Sequence, residues 1–237
     1  MLTDPDSDPM EQIILSWSGG KDSTLALDRL RHDPNVRVVA LLTSVTPAYD
    51  RISIHGVRRA LLEQQAASLE LPVHEITLEP NCSNEAYEAA VARALTTVRA
   101  EHPEVRRIAY GDLFLEDVRR YREERMAALG FECTFPIWGL DTAELAREFV
   151  NRGFRARLVC VDTTQLDARF AGRAYDHALL DELPASVDPC GERGEFHTFV
   201  WAGPGFLRPI PCDVGEVVLR ESRFAYADLR PANPSLT

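Results

Sequence analysis

The sequence predicts an α/β fold, with a doubly wound, mainly parallel sheet followed by a smaller C-terminal α/β subdomain. Strand-like and helix-like segments alternate over the first two-thirds of the 237 residues. A glycine-rich turn follows the first strand-like segment, and from about residue 132 the alternation becomes shorter and less regular. Because each parallel strand needs a crossover to reach its neighbour, repeated βα units indicate a parallel sheet covered by helices.

The N-terminal part contains eight predicted elements. A β-branched apolar run at 36–45 is typical of a strand that is buried on both faces. Apolar residues recur at helical spacing from Val57 to Leu69 and stop before Pro72, which predicts a helix. In chain order the predictions are a strand over 12–17, a helix over 24–31, a strand over 36–45, a helix over 57–69, a strand over 73–78, a helix over 83–100, a strand over 107–112 and a helix over about 116–129.

The elements after residue 132 predict a smaller subdomain packed on the first. Expected there are a strand over 133–138, a helix over 142–151, a strand over 155–162, a helix over 177–183, a polar loop over 188–198 and hairpin-like strands over 199–202 and 214–220. We therefore divide the chain into a frayed acidic leader over 1–10, a first domain over 11–131 and a second subdomain over 132–237.

Composition and charge argue against several classes of function. The net charge of −11 argues against broad binding to DNA or to anionic membranes, which needs a basic surface. No stretch approaches the length of a membrane span, and the N-terminus lacks the features of a signal peptide, so a cytoplasmic location is expected. No two cysteines form a Cys-x-x-Cys pair, which favours reduced, ordinary thiols over a zinc site or disulfides. The cysteines are Cys82, Cys133, Cys160, Cys190 and Cys212.

The turn from Ser18 to Ser23 contains Lys21, the only lysine among 26 basic residues. Its glycines let backbone N–H groups turn toward an anion, its serines add hydroxyl groups, and the helix that follows favours negative charge at its N-terminus. An ammonium adds a compact point charge for a phosphoryl group. Asp22 is a candidate magnesium ligand, but a helix-capping role is favoured because no second ligand is visible. The pattern predicts a phosphate site formed by Ser18, Gly19, Gly20, Lys21, Asp22 and Ser23.

A second polar cluster, from Gly191 to Thr198, holds two carboxylates, an imidazole, a guanidinium and a hydroxyl within eight residues. Glu192 and Glu195 are expected to recognise a cationic or amide-bearing group, and His197 to accept a proton near neutral pH. From composition alone, a solvated acidic loop that enters a strand is an equal alternative.

Further candidates lie near the ends of predicted strands, because ligands of parallel α/β sheets bind at the carboxyl ends of the strands. Ser16 and Ser44 lie near the ends of the first two strands, and His55 is in the loop after the second. Gly111 and Asp112 end a later strand. We expect these five residues to line a nucleotide site together with the glycine-rich turn.

The hexapeptide Ser18–Ser23 resembles the PP-loop of the N-type ATP pyrophosphatases, the group that includes GMP synthetase and asparagine synthetase. Asp188–Val200, with Gly203 and Pro204 after it, is similar to the signature of the diphthine–ammonia ligase family. Other segments that resemble this family are 110–113, 119–124, 136–138, 148–154 and 166–176. The resemblance extends from about residue 13 to residue 210.

This resemblance implies a Rossmann-like fold of the adenine nucleotide α-hydrolase (HUP) type with an ATP-binding role over 11–131, and a substrate-binding role over 132–237. It implies that ATP, with Mg²⁺, adenylates an acceptor carboxylate, that pyrophosphate leaves, and that ammonia or an amine forms the amide. The acceptor would be diphthine on elongation factor 2 in an archaeal or eukaryotic protein, and a small molecule in a bacterial one. The catalytic residues would be Lys21, Glu192, Glu195 and His197.

Two other functions stay open. A non-enzymatic ATP-binding switch on the same fold would have no need of the charged cluster at 191–198, so that cluster favours an enzyme. A tRNA-thiolating enzyme is opposed by the acidic net charge and by the missing cysteine pair. The acceptor, the nitrogen source and the oligomeric state are not specified by these patterns.

Overall fold

Residues 10–53 and 55–232 are described by the computed structural model, so the leader expected over 1–10 lies outside them except for Met10. The chain forms two sheets, and each has its own helices. Within the described ranges, no helix is both long enough and apolar enough to cross a membrane.

The first sheet is the doubly wound one that the sequence predicts. Its strands are β1 (Glu11–Ser16), β2 (Val36–Thr46), β3 (Arg51–Ile52), β4 (Val73–Thr77), β5 (Arg107–Ala109) and β6 (Glu132–Thr134). Its helices are α1 (Lys21–Arg31), α2 (Arg59–Leu69), α3 (Asn84–Glu101) and α4 (Glu116–Ala128). All pairings are parallel except that of β2 with β3. Because β1 lies between β2 and β5, the switch point of the sheet is at the carboxyl end of β1.

Side chains of β1 alternate between two apolar layers. Ile13 and Leu15 belong to the layer that includes Leu27 of α1 and Leu61 of α2. Ile14 belongs to the opposite layer, which includes apolar residues of α3 and α4. Since successive side chains of a strand point to opposite faces, α1 and α2 cover one face of the sheet and α3 and α4 the other.

The second sheet is antiparallel, with the strand order β8–β7–β10–β9. Its strands are β7 (Arg155–Asp162), β8 (Phe196–Ala202), β9 (Cys212–Arg220) and β10 (Phe224–Pro231), and its helices are α5 (Thr142–Asn151) and α6 (His177–Glu182). Short 3₁₀ turns occur at Pro47–Tyr49 and Ala168–Phe170. Phe149, Phe154 and Phe196 lie in the apolar cluster that joins these helices to the sheet.

The predicted hairpin of 199–202 with 214–220 is wrong. β8 pairs with β7, whereas β9 pairs with β10, a strand missing from the predicted elements. The turn between β9 and β10 is made by Glu221 and Ser222, which have φ values of 52° and 53°. Turns of this kind usually contain Asn-Gly or Asp-Gly, so the dipeptide Glu-Ser carries no hairpin signal.

Strand β6 follows residue 131, where we divide the chain, but it pairs in parallel with β5 of the first sheet. It has three residues and is shorter than the strand expected over 133–138. Pro136 has no N–H for a ladder hydrogen bond, which is one reason that the strand ends early. The first sheet therefore extends to Thr134.

Candidate active site

The glycine-rich turn joins β1 to α1 at the switch point of the first sheet. Gly19 has a φ of 77°, a left-handed conformation that favours glycine, and a Cβ there would lie 2.8 Å from Gln65 Oε1. Ser18 Oγ accepts a hydrogen bond from the N–H of Gly20 at 3.3 Å and lies 3.2 Å from Ser23 Oγ. The positive end of the α1 dipole therefore faces a turn whose hydroxyl groups are held together.

Lys21 is buried, with 2% of the residue exposed. Its ammonium donates to both carboxylate oxygens of Asp22 at 2.8 Å and to the carbonyl oxygen of Cys190. The rings of Tyr175 and Phe196 lie 5.8 and 5.7 Å from Nζ. Burial, the largest effect, lowers the pKa of Lys21, but neighbouring groups, Asp22 foremost among them, together outweigh burial and raise the pKa, so the ammonium keeps its charge.

Asp22 does not cap α1, and the predicted capping role is wrong. Gly20 is the N-cap residue, and no side chain accepts a hydrogen bond in that position. Because α1 begins at Lys21 rather than at residue 24, Asp22 lies inside the first turn. Its carboxylate is instead the counter-ion of the buried ammonium.

The loop before β8, and the first residues of that strand, pack directly on the turn. The N–H of Lys21 donates to Thr198 Oγ1 at 3.0 Å, and the N–H of Val200 donates to the carbonyl of Gly19 at 2.9 Å. A Cβ on Gly20 would lie 3.0 Å from the carbonyl oxygen of Thr198. The two polar motifs of the sequence therefore meet in space.

Gln65 holds this contact together, and the sequence analysis did not identify it. The residue is fully buried on α2. Its Nε2 donates to the carbonyl oxygens of Gly19 at 2.9 Å and Val200 at 2.6 Å, while its Oε1 accepts from Trp17 Nε1 at 2.9 Å. One amide thus joins the end of β1, the turn and β8.

The two glutamates of the second motif point in different directions. Glu195 is 1% exposed, and its carboxylate accepts from the N–H groups of Asp188 and Arg193, both at 2.9 Å. Glu192 lines the cleft beside the turn, and its Oε1 accepts from the N–H of Leu113 at 2.8 Å. Burial raises the pKa of Glu192 to about 7. Glu192 is therefore poised to exchange a proton near neutral pH, whereas Glu195 organises its own loop.

His197 and His55 lie together at the cleft, with ring centroids 4.4 Å apart. Burial, assisted by the charge of Lys21, lowers the pKa of His197 to about 4. Burial and the neighbouring His197 hold the pKa of His55 well below its usual range. His55 Nδ1 is buried and has no hydrogen-bond partner among the described residues. Both imidazoles are therefore neutral at pH 7.

The cleft has a volume of about 620 Å³, which is within the usual range for a small-molecule site. Most predicted site residues line it; Gly19 and Glu195 do not. Those that line it are Ser16, Ser18, Gly20, Lys21, Asp22, Ser23, Ser44, His55, Gly111, Asp112, Glu192 and His197.

The cleft also has an apolar and aromatic lining that the sequence did not reveal. Its lining includes Leu42, Ile76, Leu78, Val91, Met126, Tyr87, Tyr110 and Tyr121. Arg122 Nε donates to Asp112 Oδ2 at 2.6 Å, and its guanidinium lies 4.3 Å from the centre of the Tyr110 ring. These residues come from β2, β4, α3, α4 and the segments that follow β4 and β5, so no local sequence motif indicates them.

Cys190 lies beside the buried ammonium but is not an activated thiol. It is 2% exposed, and its Sγ donates to the carbonyl of Thr142 at 3.4 Å. Burial raises the pKa of Cys190 to about 12, so the thiol is protonated at neutral pH. Its contribution to the site is its backbone carbonyl, which accepts from Lys21.

Comparison with known proteins assigns the chain to a family. The model of the diphthamide synthase N-terminal domain matches residues 10–132, and that of the diphthamide synthase C-terminal domain matches residues 141–226.

The chain is also similar to two mammalian proteins named diphthine–ammonia ligase. It is 25% identical to the human protein over 227 residues, covering 86% of this chain and 84% of that one. It is 24% identical to the rat protein over 232 residues, with the same coverage. The Schizosaccharomyces pombe protein of the same name is 28% identical over 135 residues, which are 55% of this chain and 22% of that much longer relative. The two family models together span most of the described residues, and the protein belongs to the diphthamide synthase family.

Proposed function

We propose that this protein is an ATP-dependent ligase that adenylates a substrate carboxylate, releases pyrophosphate and transfers ammonia or an amine to form an amide. The observation that carries the proposal is the contact between the glycine-rich turn and the loop 191–198, made by Lys21 N–H on Thr198 Oγ1. A phosphate-binding turn and a titratable carboxylate, that of Glu192, face the same cleft. Activation and amide formation need both.

Two parts of the cleft lining fit two parts of ATP. The apolar lining, with Tyr87 and Tyr110, suits a purine base, and the hydroxyl of Ser44, which also lines the cleft, suits the ribose. The hydroxyl groups of Ser18 and Ser23 and the N-terminus of α1 suit phosphates. Lys21 supplies a positive charge, whose attraction to the pyrophosphate becomes stronger as negative charge builds up on this leaving group.

Magnesium fits the donors beside the glycine-rich turn. Mg²⁺ is usually held by one or two carboxylates together with substrate phosphates, and Asp22 offers a carboxylate there. When bound, Mg²⁺ would screen the triphosphate charge. Among the described residues, no group of three potential ligand side chains converges in the cleft. The phosphates of ATP would therefore have to supply the remaining ligands.

The acceptor steps are assigned to the loop 191–198. A carboxylate oxygen of the acceptor attacks the α-phosphorus, and the bond from that phosphorus to the bridging oxygen of pyrophosphate breaks. The nitrogen of ammonia then attacks the acyl carbon, AMP leaves, and one proton must leave the nitrogen. Glu192, with a pKa of about 7, accepts that proton. Neutral His197 and His55 orient the acceptor through hydrogen bonds.

Glu195 is proposed as a positioning residue rather than a catalytic one. Its carboxylate satisfies two backbone N–H groups of the loop and does not line the cleft. It acts on the reaction by fixing the path of the chain between Asp188 and His197.

The names of the relatives suggest which acceptor to test. The relatives are named diphthine–ammonia ligase, so diphthine on elongation factor 2 is the first acceptor to test. A small-molecule carboxylate is the second, and ammonia is the nitrogen source in either case.

Phosphorus NMR of the full chain with Mg-ATP, ammonium and diphthine-bearing elongation factor 2 tests the proposal, with a pool of small carboxylates in a parallel sample. AMP and pyrophosphate that form only with an acceptor are the expected products. Glu192→Gln should bind ATP and lose turnover, while Glu116→Gln, an exposed carboxylate on α4, should behave as wild type. ADP and phosphate would overturn the mechanism. ATP binding without turnover for every acceptor would favour the ATP-binding switch.

A further inference from the structure

A second group of ligating side chains lies away from the cleft, where the end of α3 meets β4. His74 belongs to β4, Glu101 is the last residue of α3, and His102 follows it directly. One donor atom from each side chain lies within 4.8 Å of the other two. We propose that these three residues bind a divalent transition-metal ion of the zinc class.

The distances are close to those of a metal site. Zinc bonds to imidazole nitrogen and carboxylate oxygen are about 2.0–2.2 Å long, so two donors on one ion lie about 3–4 Å apart. His74 Nε2 and Glu101 Oε2 are 3.7 Å apart. The rings of His74 and His102 meet edge to face rather than stacking, with centroids 6.4 Å apart. Glu101 is exposed, and an ion bound here would require the side chains of Glu101 and His102 to rotate toward His74 Nε2.

An unpartnered nitrogen points to a ligand at this position. The His74 side chain is 10% exposed, and its Nε2 is buried without a hydrogen-bond partner in the described structure. At 3.7 Å the Glu101 oxygen is too far for a hydrogen bond. A buried polar atom without a partner costs about 1–3 kcal/mol, and a metal bond to Nε2 would remove that cost.

The donor set selects the class of ion. Two imidazole nitrogens and one carboxylate oxygen suit Zn²⁺, Co²⁺, Ni²⁺ or Cu²⁺, whereas Mg²⁺ and Ca²⁺ prefer all-oxygen sites. A water molecule would complete a tetrahedral zinc site. Within residues 10–53 and 55–232, this is the one group of three His, Cys, Asp or Glu side chains that comes this close.

The position of the group indicates a structural role for the ion. None of the three residues lines the cleft. His74 is on a strand of the first sheet, and the other two end the helix that crosses over from it. An ion bound there would close the segment between residues 74 and 102 and hold the C-terminal end of α3 against β4.

Titration calorimetry with ZnCl₂ tests the inference on the full chain after chelator treatment and dialysis. We expect one equivalent to bind the wild type, with affinity weakened at least about tenfold in each of His74→Ala, His102→Asn and Glu101→Gln. The matched controls are Glu104→Gln, an exposed carboxylate three residues further on, and His177→Ala, whose Nε2 contacts Asn151 Oδ1. Both controls should keep wild-type affinity. Zn²⁺ should also raise the unfolding temperature of the wild type and of the controls, but not of the three ligand variants.

Equal zinc affinity in the wild type and in the ligand variants would overturn the inference. So would a zinc site that is lost in His197→Asn but kept in His102→Asn, because the ion would then lie in the cleft. His102→Asn, which changes a residue at the helix end, decides the question if His74→Ala does not fold. Binding of Co²⁺ with the absorption of a tetrahedral site, absent in His102→Asn, would identify the donor geometry.

Discussion

The backbone N–H of Lys21 donates to Thr198 Oγ1 over 3.0 Å and joins residues that are 177 positions apart. The ammonium of the same lysine donates to the carbonyl of Cys190, in the loop that leads to Thr198. The first residue of α1 is thus held at its backbone and at its side-chain end by residues from the C-terminal half of the chain. The conformation of the glycine-rich turn therefore depends on both halves of the chain.

Thr198→Val should destabilise the protein and weaken ATP binding. Valine keeps the shape of threonine but removes the acceptor, so the buried N–H of Lys21 loses its partner, which costs about 1–3 kcal/mol. Urea unfolding measures the loss of stability, and calorimetry with Mg-ATP measures the loss of affinity. Thr198→Ser keeps the acceptor and should retain most of both. A valine variant as stable as wild type would mean that this hydrogen bond does not position the turn.

Lys21→Met should abolish turnover and also lower the free energy of unfolding by about 2–4 kcal/mol. The reason is that the partly buried Asp22 carboxylate would lose its counter-ion. A lysine whose side chain faced only phosphate, and not the core, could be replaced with little loss of stability. Urea unfolding of Lys21→Met, Asp22→Asn and the double variant tests the pairing.

The double variant separates pairing from simple loss of packing. Lys21→Met with Asp22→Asn should be more stable than the sum of the single changes predicts, by about 0.5–3 kcal/mol, since no charge is left unpaired. Strict additivity would mean that Lys21 and Asp22 contribute independently.

Features with local signals were predictable from the sequence. The apolar run of β1 and the glycine-rich turn after it follow directly from residue types in order, as does the parallel sheet. The predicted helix begins at residue 24, three positions after the observed first residue of α1, and the N-cap is Gly20, which has an extended backbone, rather than Asp22. Aspartate and glycine both occur at N-cap positions, so residue type alone does not separate Asp22 from Gly20, and backbone geometry does.

Features that depend on distant contacts were not predictable. Gln65 is one glutamine on an amphipathic helix, and its partners Gly19 and Val200 are 46 and 135 residues away. Glu192 and Glu195 are chemically equivalent in the sequence, but the fold turns one toward the cleft and the other into its own loop. Residue type predicts which chemistry a side chain can perform. The direction in which the side chain points depends on tertiary packing, which a single sequence does not reveal.

Gln65→Met should lower the stability by about 2–4 kcal/mol and weaken ATP binding. Methionine fills a similar volume, but it leaves the indole N–H of Trp17 without a partner and removes one hydrogen bond from each of the carbonyl oxygens of Gly19 and Val200. Gln64→Met, an exposed neighbour on α2, is the matched control and should have little effect. Unfolding curves and ATP calorimetry of both variants measure the difference. Equal behaviour of the two variants would show that Gln65 is not required to position the turn.

The two cleft histidines should make the protein less stable in mild acid. Their folded-state pKa values are depressed, so the unfolded chain binds more protons below its pKa of about 6.5. Stability is present above that pH and is lost as the pH falls toward the folded-state pKa, about 4 for His197. Each histidine contributes a slope of up to about 1.4 kcal/mol per pH unit. Urea unfolding of His197→Asn and His55→Asn between pH 4 and pH 7 should show a free energy of unfolding that falls less steeply with acidification than that of the wild type. An unchanged slope would contradict the depressed pKa values of the two histidines.

Glu192 should titrate near pH 7 and set the pH dependence of the reaction. Burial favours its neutral form, so the carboxylate that accepts a proton is present only above about pH 7, and kcat/KM should rise as the pH increases through that value. Glu192→Gln should remove this step and lower kcat by about 10²–10⁴-fold. Carbon NMR of the glutamate carboxyl groups detects the same titration without an acceptor, as one signal with a midpoint near 7 that is missing in Glu192→Gln.

The stability linked to Glu192 has the opposite sign to that of the histidines. Its folded-state pKa of about 7 lies above the ordinary value of 4.5, so the folded state binds the extra proton. The stabilising contribution is complete below the unfolded-state pKa and is lost as the pH rises through 7. Relative to wild type, Glu192→Gln should therefore gain stability at pH 8 compared with pH 5. If the carboxyl signal that is missing in Glu192→Gln titrates near 4.5 in the wild type, both this linkage and the argument for Glu192 as the base are wrong.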